Sequence, residues 1–138
     1  MFKIFRVTVV LCLLLAAPAM AVASDYSLEV NGTLIYSDVP PVVEGSKVLI
    51  PLRAVAEATG AAVQYVDNER ELIINSPGLE VILWLDSYFG YKNGLPVDLT
   101  SPPKLINDRT FVTREQLDQL LEVKAYLDIM ANAIVVQS

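Results

Sequence analysis

Apolar and polar residues alternate along Tyr26-Ser27-Leu28-Glu29-Val30 and stop at Asn31-Gly32, the dipeptide that best fits a tight hairpin turn. Thr33 to Tyr36 is the expected return strand. Asp38-Val39-Pro40-Pro41 is expected to be extended, because each proline fixes its own φ and pushes its predecessor out of the helical region. The apolar run Val48-Leu49-Ile50 then leads into a helix opening at Pro51, with Leu52, Val55, Ala56 and Thr59 on one stripe and Gly60 as terminator. Val63–Val66 and Leu72–Asn75 flank Asp67-Asn68-Glu69-Arg70 as a further hairpin. Leu79–Leu85 and Tyr88–Lys92 read as strands, and Asn93-Gly94 turns into Leu95–Leu99. Arg109-Thr110-Phe111-Val112 is a strand running to Thr113, which can cap a helix with Gln116 three residues on. Leu117, Leu120 and Leu121 form that helix's stripe, and Val123–Asp128 with Ala133–Val136 close the chain as a hairpin.

The second half restates the first at a shift of 62 positions. Asn31-Gly32 returns as Asn93-Gly94, Pro40-Pro41 as Pro102-Pro103, and Leu72-Ile73-Ile74 as Ile134-Val135-Val136. The economical expectation is an internal duplication, about residues 26–75 and 88–137, of a hairpin/helix/hairpin unit. The predicted fold class is α+β: a mostly antiparallel β-sheet carrying two short helices, built from two tandem repeats.

Residues 1–23 read as an export signal. Lys3 and Arg6 precede an apolar run, Val7–Ala17, too short to span a bilayer, and Ala19-Met20-Ala21 and Ala21-Val22-Ala23 offer small-x-small cleavage sites. Cys12, the single cysteine, lies within this segment, so the mature domain, residues 24–138, holds neither a thiol nor a disulfide. That domain keeps 8 basic against 16 acidic side chains, which argues against nucleic acid and against anionic polymers held by charge. No membrane span is expected after signal removal, and the expected location is secreted, in association with the cell wall.

Histidine is absent from the whole chain. Imidazole metal sites and Ser-His-Asp triads therefore cannot be built. The glycines lie scattered at turns and make no phosphate loop. Asp67-Asn68-Glu69 lacks the ligand ladder of a dedicated calcium site. No catalytic residues, metal or cofactor are expected.

Val30-Asn31-Gly32, Asp38-Val39-Pro40-Pro41-Val42-Val43-Glu44-Gly45 and Leu49-Ile50-Pro51-Leu52-Arg53 with the alanine-rich run to Gly60-Ala61 resemble the copper amine oxidase N-terminal domain-like (stalk) family. Pro102-Pro103-Lys104-Leu105-Ile106-Asn107-Asp108-Arg109-Thr110-Phe111-Val112 resembles it again, and the resemblance covers nearly all of residues 27–137. It implies a secreted, non-catalytic module of the bacterial cell envelope, dispensable for copper chemistry where an amine oxidase carries it. The second copy departs from the motif, reading Val112-Thr113-Arg114-Glu115 where the first has Ile50-Pro51-Leu52-Arg53.

The aromatic group Trp84, Tyr88, Phe89 and Tyr91 is the candidate binding surface, and Trp84, Tyr88, Tyr91 and Arg53 are the residues expected to contact a partner. Leu79, Val81, Leu83 and Leu85 share one strand face, which puts Trp84 on the other. An exposed aromatic group there could stack on sugar rings or meet a protein; the plainer alternative is that Trp84 and Tyr88 fill the core. Arg53 could hold a ligand or pair with Glu57 at helical i, i+4 spacing. The expected partner is cell-wall glycan or an envelope protein, with dimerisation through free strand edges a further expectation. A soluble inhibitor or accessory subunit of a separately encoded enzyme is the alternative, and a small carboxylate-dependent hydrolase is the remaining one.

Overall fold

The structure, a computed structural model, describes residues 26–138. The expected export signal lies outside the described residues. Among the described residues, thirteen strands and two α-helices follow one another, with one 3-10 turn at Asp67–Glu69. They are β1 (Ser27–Val30), β2 (Thr33–Ile35), β3 (Val42–Glu44), β4 (Lys47–Pro51), α1 (Leu52–Ala58), β5 (Ala62–Val66), β6 (Glu71–Ser76) and β7 (Leu79–Trp84). There follow β8 (Phe89–Lys92), β9 (Leu95–Asp98), β10 (Lys104–Ile106), β11 (Arg109–Thr113), α2 (Arg114–Leu121), β12 (Lys124–Asp128) and β13 (Ala133–Gln137). This is an α+β chain, as the periodicity predicts.

The strands form three sheets rather than a single one: β12-β13-β1-β2, β10-β11-β4-β3 and β5-β6-β7-β8-β9. All neighbours are antiparallel except β1 and β13, which run parallel with Leu28 opposite Ile134 and Val30 opposite Val136. The N-terminal hairpin therefore closes on the C-terminal one, while β8–β9 joins β5–β7. The extended proline segments explain the division, since a backbone without N–H donors cannot carry a ladder from one sheet into the next. Asn31 and Gly32 both have positive φ, 50° and 80°, as do Asn93 and Gly94, 51° and 77°. That is the geometry of a tight hairpin turn, and it explains both Asn-Gly signals.

At the centre, β4 pairs β11 with Ile50 opposite Val112, Pro51 opposite Phe111 and Leu49 opposite Thr113. Pro51 is the last residue of β4 and the cap of α1, not the first helical residue. Its φ of −66° suits either role, but its ψ of 112° is extended, so the helix starts one residue later. Leu52, Val55 and Ala56 of α1 and Leu117, Leu120 and Leu121 of α2 pack with Leu72, Ile74, Val81 and Leu83 and with Leu28, Val30, Ile134 and Val136 in one core. Each fully buried leucine or valine among them contributes about 1.5–3 kcal/mol relative to exposure.

Gly90 is required by a close approach. A Cβ there would lie 2.7 Å from the Ile82 carbonyl oxygen and 2.8 Å from Leu83 Cδ2. That glycine lets β8 press against β7, which holds the aromatic side chains of both strands on the opposite face.

Candidate functional site

Burial alternates along β6 and β7 of the five-stranded sheet. Leu72, Ile74, Val81 and Leu83 are buried, whereas Ile73, Ile82, Trp84 and Tyr91 between them are only partly covered. Strand register brings the outer-face residues together: Ile73 opposite Ile82, Ile82 opposite Tyr91, and Tyr91 opposite Pro96. The Trp84 and Phe89 rings lie nearly parallel, 10° apart, with centroids separated by 6.4 Å. Tyr91 meets both edge-on, at 6.0 Å and 4.9 Å. Such edge contacts stabilise an aromatic pair by about 0.5–1.5 kcal/mol beyond area burial and fix the ring planes.

Carboxylates border this platform. Glu71 stands opposite Trp84 on the neighbouring strand. A hydrogen bond with Glu69 raises the Glu71 pKa above its ordinary value of 4.5, with burial and the Glu69 charge adding to the shift and the Trp84 contact opposing it. Asp98 lies opposite Phe89. Beyond the platform, Arg70 is tied to Asp86 at 2.7 Å, closing the turn after Trp84.

Of the sequence-predicted residues, Trp84 and Tyr91 belong to the cluster. Tyr88 does not. It precedes β8, is 62% exposed and makes no ring contact with the other three, being one residue out of step with Phe89 and Tyr91. Phe89, which stands in the same aromatic group of the sequence, takes its place; its spacing of two residues from Tyr91 puts both rings on one strand face.

Arg53 lies elsewhere. It lines a groove of about 870 Å³ between α1, the segment after β2, the end of β5 and the β10–β11 hairpin. Neither Trp84, Tyr88 nor Tyr91 reaches that groove. The Arg53 guanidinium stands 3.9 Å from Glu57, a loose contact between half-exposed groups. Across the groove, Arg109 grips Asp38 through Nε at 3.1 Å and a second, shorter contact. This pairing holds the Asp38 carboxyl below its ordinary value of 3.8. A carboxylate held ionised accepts hydrogen bonds and does not donate protons. The two carboxyls with raised pKa, Glu71 and Asp118, lie outside the groove.

Among the described residues, no group of three or more Asp, Glu, His or Cys side chains is placed to hold a metal ion. Among them too, no helix is long and apolar enough to cross a membrane.

No curated protein matches the chain. Comparison with known families matches residues 29–136 to the copper amine oxidase N-terminal domain. The match takes in both hairpin ends, the central β4–β11 pair and both helices, and the chain belongs to that family.

Proposed function

We propose that this protein is an exported, non-catalytic recognition module that holds carbohydrate of the bacterial cell envelope against the outer face of its five-stranded sheet. The observation that carries this reading is the platform of Trp84, Phe89 and Tyr91, half-open on one sheet face and bordered by Glu71 and Asp98. Pyranose rings present C–H faces that settle on aromatic planes and hydroxyls that donate to carboxylates. The acidic balance of the chain favours neutral glycan over anionic wall polymer. Membership in a family whose domain is non-catalytic in copper amine oxidases agrees with a binding role.

We also infer that the scaffold is one unit used twice. Each element from β8 to β13, α2 included, begins 62 positions after its counterpart, Phe89 after Ser27 and Arg114 after Leu52. The pairing of Ile50 with Val112 puts counterpart residues opposite each other, which supports a two-fold relation between the halves. The aromatic platform is not repeated: Trp84 lies between the two copies, and Phe89 corresponds to Ser27. Tyr91 and Ile73 correspond to Glu29 and Val135, so duplication supplied the frame and later divergence the site.

Co-sedimentation of the mature protein with purified cell walls, with and without added calcium, tests the proposal. Trp84→Ala should weaken binding roughly fivefold, from the loss of about 1 kcal/mol of stacking, with the far-UV dichroism retained. Unchanged wall affinity in a folded Trp84→Ala protein would overturn it.

A further inference from the structure

The two helices begin differently, and a groove lies beside the start of the first. In α2 the third residue is Gln116, which is 1% exposed. Its side chain accepts from the Thr113 backbone N–H at 3.0 Å and donates to the Ser101 carbonyl, tying the Pro102-Pro103 segment to the helix start. In α1 the third residue is Ala54, and Pro51 supplies no side-chain cap. Alanine cannot span that gap, and the space beside it is the groove that Ala54 itself lines.

The groove's charges are incompletely spent. Asp38 and Arg109 neutralise each other. Arg53 keeps most of its donors free, with Glu57 at 3.9 Å as its one ionic neighbour among the described residues. Asp67 and Asp108 line the same groove; neither carboxylate lies within ion-pair distance of a cation among the described residues, and that of Asp108 acts on its neighbour Arg109 only through space. Tyr36, 88% exposed, and Tyr65 add aromatic walls. A guanidinium with free donors and two unpaired carboxylates in one concavity complement a ligand carrying both signs of charge. The volume of about 870 Å³ falls in the usual range for ligand sites and exceeds what one small amino acid would fill.

We propose that this groove is a second binding site, separate from the aromatic platform, that takes a short peptide bearing a free carboxylate and a basic side chain. Arg53 receives the carboxylate as a planar fork. Asp67 and Asp108 receive the ammonium. Ala54 is the residue that keeps the groove open.

The probe is N-acetyl-Ala-Lys-Ala, which carries one ammonium and one carboxylate, titrated calorimetrically into the mature protein. Two control peptides replace the carboxylate by an amide or the lysine by norleucine. Wild type should bind the parent peptide about fivefold more tightly than either control, the scale of a half-exposed charge pair. Arg53→Gln should abolish the preference for acid over amide while keeping the preference for lysine, and Asp67→Asn should weaken the latter. Ala54→Gln should block the peptide yet leave co-sedimentation with walls unchanged. Conversely, Trp84→Ala should leave peptide affinity intact, so failure of the carbohydrate reading and failure of this one are separable. Absence of binding at millimolar peptide, equal affinity for acid and amide, or undiminished binding by Ala54→Gln refutes the assignment.

Discussion

Arg109 and Asp38 are 71 positions apart in the chain, and their contact fastens the β10–β11 hairpin to the segment after β2. The guanidinium beside Asp38 holds its carboxyl below 3.8, and the carboxylate in turn raises the arginine. A carboxyl whose folded-state pKa is depressed contributes stability that is present above the unfolded value and lost as pH falls through the folded one. Glu71 works in the opposite sense. Its hydrogen bond to Glu69 lifts it above 4.5, so its contribution is present below that value and lost as pH rises through the lifted one. Asp118, raised chiefly by burial beneath its bond to the Ala125 N–H, behaves like Glu71. Thermal melts of wild type and Asp38→Asn at a series of pH values should therefore differ most above pH 3.8 and converge as the pH drops below it. A difference that stays constant through that window would show that the pair adds nothing dependent on ionisation.

At the scale of elements, α2 is held more firmly at its start than α1. Thr113 accepts from the Gln116 N–H at 3.3 Å while Gln116 accepts from the Thr113 N–H, so two helix-end donors are satisfied reciprocally. Lys92 anchors the other end, donating to the Gln119 carbonyl at 2.8 Å and pairing with Glu122 at 3.1 Å. Gln116→Ala should cost about 1–2 kcal/mol through the lost cap and the unpaired Ser101 carbonyl, lowering Tm by about 5–10 °C. A melt unchanged by this substitution would mean that solvent takes over the bonds of Gln116 without loss. The capping box was legible in the sequence because its partners are three residues apart, as were the Asn-Gly turns, whose demand for positive φ is local. The sheet division was not. Whether β1 pairs β2 alone or also β13 depends on residues more than a hundred positions away, and alternation fixes only which face of a strand is buried. The same limit explains Arg53. Its i, i+4 neighbour Glu57 could be read directly, but the groove walls come from segments far apart in sequence. Trp84 fell on the outer face as alternation required, while Tyr88, one residue before β8, is out of step with Phe89 and Tyr91.

The described fold is closed by its first and last hairpins. The Ser27 N–H donates to the Asn132 carbonyl at 3.1 Å and the Asn31 N–H to the Val136 carbonyl at 2.8 Å, so the first described strand is clasped along its length by the last. Strand β13 lies between β12 and β1 and offers Ile134 and Val136, both fully buried, to the common core. A β1–β2 hairpin of so few residues is not stable in water by itself, and its order must derive from β13. Ile134→Ala removes buried volume at that seam and should cost about 2–5 kcal/mol, a large part of the 5–15 kcal/mol that holds a typical domain together. Amide hydrogen exchange then distinguishes a cooperative closure from a loosely attached hairpin. In the Ile134→Ala protein the amides of Leu28 and Val30 should lose as much protection as those of β12, because the strand that serves both has been weakened. Wild-type protection in β1 alongside reduced protection in β12 would show that the N-terminal hairpin stands independently of the seam, and the parallel pairing would then be a consequence of the fold and not its fastening.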